Sequence, residues 1–201
     1  SKPPEELNII GKLQKSDNQS IVVIGSRRMS NYGKNVIESL VPSLVEDGYT
    51  IVSGLALGCD SYAQKIALTC GGRTIGVLGY GLNRIKNDRN YHFIKEVIDN
   101  KDGVIISPFK RNEIPSRESF IYRNSVLAAV GRAVLVIEAM ARSGVFHTVN
   151  YALDLGKDVM AVPGNIFTYN SAGVHKLIKE GAALVDRVED IELVLGSPQV
   201  D

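Results

Sequence analysis

Five short loops in this chain combine glycine with serine, arginine, asparagine or a second glycine, a mixture suited to holding an anion. They are Gly25-Ser26-Arg27, the run from Ser53-Gly54 to Leu57-Gly58, Gly79-Tyr80-Gly81, Arg142-Ser143-Gly144 just after Glu138, and Pro163-Gly164-Asn165. Glycine lets backbone N–H groups come close to a phosphate, and a helix that starts after such a loop adds unpaired donors and partial positive charge. Serine adds a hydroxyl donor, and Arg27 and Arg142 add guanidinium groups able to grip a phosphate through two hydrogen bonds. A tight strand-to-helix turn needs glycine in any case, so one loop alone says little. Several on one rim, with Ser and Arg added, point to anion binding.

A sixth segment adds aromatics. Ser119-Phe120-Ile121-Tyr122-Arg123-Asn124 precedes the apolar stretch Val126 to Val130. Arg123 and Asn124 are expected at or near a helix start, within reach of a phosphate. Phe120 and Tyr122 alternate with that charge, as in proteins that hold single strands by stacking and backbone contact. The same two rings also suit a core.

Several ligand chemistries are excluded. No G-x-G-x-x-G follows the first strand, and Gly79-Tyr80-Gly81 lacks its third glycine. No Gly-Lys pair is followed by Ser or Thr, and no G-x-S-x-G elbow exists. His92, His147 and His175 have no metal-type spacing to Cys59 or Cys70. His147 sits beside the Ser143-Gly144 loop but has no carboxylate partner in sequence, and Glu138 reads as an orienter of its loop. No catalytic residue, metal site or cofactor is assigned.

The elements that must position these loops alternate. Short apolar strands are expected over 21–24, 50–52, 74–78, 104–106, 133–137, 159–162 and 182–185. Helices follow over 36–45, 60–68, 93–98, 119–130, 148–155, 174–179 and 190–195. Val36, Ile37, Leu40, Val41, Leu44 and Val45 fall at helical spacing, Gly48 closes that helix, and Pro42 inside it should kink it. Strands apolar along their whole length are covered on both faces. The fold class is therefore α/β, a doubly wound, mostly parallel sheet of about seven strands with helices on both faces. Ligands in such sheets bind beyond the carboxyl ends of the strands. Residues 1–19, polar with Pro3 and Pro4, read as a lead-in with room for one short helix. Residues 20–196 read as the core domain and 197–201 as a tail.

Composition sets outer limits. Across 201 residues, 44% are hydrophobic and 22% charged, the balance of a globular domain, and the net charge of +1 excludes a binder that is basic all over. The charge can still be sorted locally, since Arg27, Arg28, Lys110, Arg111, Arg117, Arg123, Arg132 and Arg142 lie near the motifs. No apolar run is long enough to span a membrane. The two cysteines read as structural thiols on or near one helix, in a reducing, cytoplasmic setting.

Taken in order, the motifs resemble the DNA-processing protein A family (DprA, also called Smf). They are Gly25-Ser26-Arg27 with Tyr32-Gly33, Ser53 to Asp60 with Ala63, Gly71 to Leu82, Phe120 to Ser125, Glu138-Ala139, Ser143-Gly144, Ala161 to Gly164, Ser171/Gly173 and Gly181-Ala182. The resemblance implies a Rossmann-like core that binds single-stranded DNA through its phosphates. It also implies a homodimer that delivers the strand to the recombinase RecA during natural transformation. The implied DNA-contacting residues are Gly25, Ser26, Arg27, Ser53, Gly54, Arg123, Asn124, Arg142, Ser143 and Gly144. The chain departs from the family pattern at Ile121, at Leu57 and Ser125, where the family carries positive charge, and at Phe146-His147-Thr148.

Two other readings stay open. One is a nucleotide-binding or nucleotide-processing protein similar to lonely-guy phosphoribohydrolases, although Tyr151 stands where that family has its glutamate. The other is a family member that acts through protein contacts alone.

Overall fold

A computed structural model describes residue 4 and residues 6–196. The expected tail, 197–201, and residues 1–3 and 5 of the lead-in lie outside the described residues. Eight strands form one sheet: β1 (Asn8–Ile10), β2 (Ser20–Ile24), β3 (Thr50–Ser53), β4 (Thr74–Val77), β5 (Gly103–Ser107), β6 (Ala133–Val136), β7 (Val159–Ala161) and β8 (Ala183–Leu184). The helices are α1 (Asn31–Glu46), α2 (Cys59–Thr69), α3 (Tyr91–Asp99), α4 (Arg117–Val130), α5 (Val145–Asp154), α6 (Ala172–Lys179) and α7 (Val188–Leu195). The strand order is β1-β5-β4-β3-β2-β6-β7-β8, and only the β1–β5 pair is antiparallel. This is a Rossmann-like sheet. None of the described helices is long and apolar enough to cross a membrane.

The sheet holds eight strands, not seven, because the lead-in supplies β1 and then a short 3-10 turn, Lys15–Asn18. A three-residue edge strand carries too little periodicity to be read from sequence. The remaining strands fall where their apolar runs stand.

Alternate residues of each strand feed opposite layers. Val22 and Ile24 face a core shared with α4, α5 and α6. Ile21 and Val23 face α1, α2 and α7 on the other side. All four are buried, and each contributes about 1.5–3 kcal/mol relative to exposure. A smaller cluster, with Leu78, Ile105 and Ile94, lies under α3.

One helix keeps its internal proline, and another shifts its start. Pro42 lies inside α1, and the helix continues through it, although proline supplies no N–H to the carbonyl four residues back. Helix α4 starts earlier than its apolar residues suggest. Ser116 caps it by accepting from the Ser119 amide at 3.0 Å while the Ser119 hydroxyl accepts from the Ser116 amide at 2.9 Å. Arg123 therefore sits in the second turn and not at the helix start.

The lead-in is clasped to the sheet by a nearly buried ion pair. Arg73 donates to both oxygens of Asp17, at 2.6 and 3.0 Å, and the Thr50 hydroxyl adds a third bond at 3.1 Å. Burial pushes the Asp17 carboxyl up, but Arg73 and the other donors outweigh it and hold the group below its usual value. Replacing Asp17 with Asn is expected to lower stability by about 2 kcal/mol, read by denaturant unfolding. A depressed carboxylate stabilises the fold above its unfolded pKa of about 4. The gap between wild type and variant should therefore be full at neutral pH and close as pH falls through the folded value.

Candidate functional site

The chain runs outward from β2 through β3 and β4 to β5, then crosses back by α4 to lay β6 on the other side of β2. The loops leaving β2 and β6 diverge at that reversal and open a crevice at the carboxyl ends of the strands. A cavity of about 1430 Å³ fills it. Gly25, Ser26 and Arg27 line it from the β2–α1 loop, Arg123 and Asn124 from α4, and Arg142, Ser143 and Gly144 from the turn before α5. It continues along α5, past Lys176 in α6, to Lys157, Val159 and Ala183 at the amino ends of β7 and β8.

Its inner wall is built on a buried acid and a buried arginine that hold one residue, Gly54, by its amide and its carbonyl. Asp60 accepts from the amides of Gly25, at 3.3 Å, and Gly54, at 3.2 Å. Arg123, 5% exposed, donates through Nη1 to the carbonyls of Gly54 at 2.6 Å and Val77 at 2.7 Å. Its Nε donates to the Asn124 side chain at 3.1 Å. Burial pushes the Asp60 carboxyl up, and Arg123 and the two amides pull it back. Burial likewise lowers Arg123, which Asp60 opposes and the nearby Arg27 charge reinforces. Position 54 has no room for a side chain: a Cβ there would stand 2.5 Å from Arg123 Nη1 and 2.7 Å from Asp60 Oδ2.

The next residues fasten the Gly25-Ser26-Arg27 turn from below. Leu55 is buried at φ 58°, a left-handed backbone that costs a non-glycine residue about 1 kcal/mol. Its amide donates to Gln64 at 3.3 Å, and its carbonyl accepts from Asn90 at 3.0 Å. Gly58, at φ +95°, passes so close that a Cβ would lie 2.3 Å from the Ser26 carbonyl. That carbonyl accepts from the Cys59 amide at 3.1 Å.

The outer wall is basic. Arg27, Arg28, Arg117 and Arg142 are all exposed and line the cavity. None of the four forms an ion pair among the described residues. Arg27 and Arg123 both lie against the Phe120 ring, at 5.9 and 5.6 Å from its centroid. The Ser26 hydroxyl is already used, accepting from the Arg28 amide at 3.1 Å and meeting Asn170 Oδ1 at 3.4 Å. The backbone amide of Ser26 faces the buried Cys59 thiol, and that of Arg27 has no acceptor among the described residues. A free amide beside unpaired guanidinium groups makes a surface that an anion would neutralise.

Most of the expected residues gather here, with three corrections. The Ser53 hydroxyl points inward to the Val23 carbonyl at 2.6 Å, and Ser53 is absent from the cavity wall. Gly54 is buried between Asp60 and Arg123 and does not line the cavity either. Arg123 is committed to carbonyl oxygens, so its charge braces the wall from within. Glu138 orients its loop: it accepts from the Ser30 amide at 3.0 Å and from the Ser30 hydroxyl that caps α1. Phe120 is half-buried and carries two cations, while Tyr122 packs against the core and edge-on to Phe109. Cys59 is buried and its thiol is pushed well above the usual range by that burial. The roles of Asp60, Asn170 and the rim positions Arg28 and Arg117 were not assigned from sequence. Asp60 had one signal, an acid at a helix start just after a glycine loop; Asn170 had none.

The family described as DNA recombination-mediator protein A matches residues 1–195. Protein Smf of Escherichia coli (strain K12) is 38% identical over 188 residues, which are 94% of this chain and 50% of that protein. The chain spans about half the length of the curated relatives it matches. The X-ray structure of DNA processing protein A from Streptococcus pneumoniae superposes with a TM-score of 0.86 at 35% identity, covering 97% of this chain and 67% of that one. A structure of DNA processing protein A from Helicobacter pylori, described as showing that protein's single-stranded DNA binding mode, gives a TM-score of 0.85 at 28% identity. It covers 96% of this chain and 88% of that one.

The inner wall makes a stability prediction. Gly54→Ala forces Arg123 or Asp60 aside and is expected to lower unfolding free energy by about 3 kcal/mol. Gly144→Ala, at a glycine with nothing within 4 Å and φ of −61°, should leave stability within about 0.5 kcal/mol of wild type. Denaturant melts of the two variants decide it, and equal midpoints would remove the wall from the account.

Proposed function

The chain belongs to the DNA recombination-mediator protein A family, and on that premise we propose that it binds single-stranded DNA through backbone phosphates held along the arginine rim. The observation that carries this reading is the row of exposed arginines without ion pairs among the described residues, beside the free amide of Arg27. Such groups attract phosphates in any base sequence and position the strand without reading it. At about 1430 Å³, the cavity exceeds the usual 300–1,000 Å³ or so of a small-ligand pocket, which favours a strand over a mononucleotide. Tyr151 packs half-buried against the core, so the position that holds a glutamate in lonely-guy enzymes presents no carboxylate. Binding without turnover is the proposed activity.

Family membership, rather than the geometry of the rim, supports the wider expectations: action as a homodimer, in the cytoplasm, passing the strand to RecA in natural transformation. Leu57 is half-exposed and apolar, and Ser125 is buried with its hydroxyl bonded to the Tyr122 carbonyl at 2.7 Å. With charge missing at both positions, the exposed arginines carry the electrostatic share of binding.

Fluorescence anisotropy with labelled oligothymidylate across a salt series tests this. Affinity should fall steeply with salt, by about 0.7 in log–log slope for each phosphate neutralised on a single strand. Arg27→Ala should weaken binding and reduce the slope by about 0.7, and Arg142→Ala should do the same. No binding at low salt, or an Arg27→Ala/Arg142→Ala variant that keeps the wild-type slope, would sink the proposal. Arg123→Ala should behave differently, lowering the unfolding midpoint because it strands buried Asp60.

A further inference from the structure

A second cavity, of about 860 Å³, opens beside the first and shares Arg28 and Met140 with it. Tyr32 and Tyr169 line it, with Glu138 and Asn170. Its outer lip belongs to the β7–α6 loop, where Ile166 is 77% exposed and Phe167 and Tyr169 are both 88% exposed. Large rings left this bare beside a charged groove call for an occupant.

The loop is tied directly to the phosphate-binding turn. Asn170 meets the Ser26 hydroxyl at 3.4 Å and donates to the Arg28 carbonyl at 2.9 Å. Tyr169 is its chain neighbour, one Cα step of about 3.8 Å away. The inner polar groups of the cavity are already used within the protein. The Tyr32 hydroxyl donates to the Pro163 carbonyl, Glu138 accepts from Ser30 and Asn170, and the Thr168 hydroxyl donates to the Asn165 carbonyl at 3.0 Å. What remains on offer is ring surface and the unpaired guanidinium of Arg28. That combination suits the face of a nucleobase, not its hydrogen-bonding edge.

We propose that the second cavity is a base-stacking subsite for the nucleotide next to the phosphate held at the Arg27 rim, with Tyr169 as its main platform. The subsite presupposes the phosphate rim proposed above. Because it meets the base by its face, it accepts any base.

Two strands of equal length separate the contributions: oligothymidylate, and an abasic strand with the same sugar-phosphate backbone. Tyr169→Ala should weaken oligothymidylate binding about tenfold with no change in salt slope. The same variant should bind the abasic strand as wild type does, and Tyr169→Phe should match wild type on both. Equal losses on the two strands, or no loss on either, overturn the subsite while leaving the rim intact. Altered sedimentation of Tyr169→Ala with unchanged affinity also overturns it, and gives the loop to a contact between copies. A wild-type chain that binds neither strand at low salt overturns the rim and the subsite together.

Discussion

Gly54, held by its amide to Asp60 and by its carbonyl to Arg123, is the contact on which the rest of the site depends. It joins the carboxyl ends of β2, β3 and β4 to helices α2 and α4 within a few hydrogen bonds. Buried charge is costly unless its hydrogen bonds are met and its opposite lies close. Here the acid takes amides, the arginine takes carbonyls, and each offsets the other. A side chain at position 54 would separate them, which gives the second glycine loop a structural purpose distinct from phosphate contact.

This arrangement divides the arginines into two kinds. Arg123 is fixed by main-chain oxygens and serves the fold. Arg27, Arg28, Arg117 and Arg142 stand outside the core with nothing to neutralise them among the described residues. The net charge of +1 conceals that division, because it sums charge over the whole chain. Phe120 marks the boundary, with a buried guanidinium near its ring on one hand and an exposed one on the other.

Much of this was legible in the sequence. Strand–helix alternation, whole-length apolar strands and glycine loops placed seven strands and the loops at their carboxyl ends, because local patterning dictates those features. Three residues of β1 carried no pattern, and their place in the sheet depends on pairing with β5, a hundred positions away in the chain. The start of α4 is set by Ser116 and falls two residues before the expected helix, so Arg123 lies in its second turn and not at its start. The inward turn of Ser53 and the role of Asp60 arise where three strand ends meet. No window of neighbouring residues contains that meeting.

The Glu138 tie across the crevice has a kinetic consequence. Glu138 stands at the end of β6 and holds Ser30 on the β2 side, while Asn170 binds both Ser26 and Arg28 from a third loop. The wall built on Ser26, Arg28 and Ser30 is thus set before any ligand arrives. For the strand proposed above, the ordering entropy of association would then fall mostly on the strand, and electrostatically steered encounter with the arginine rim would set the rate of capture.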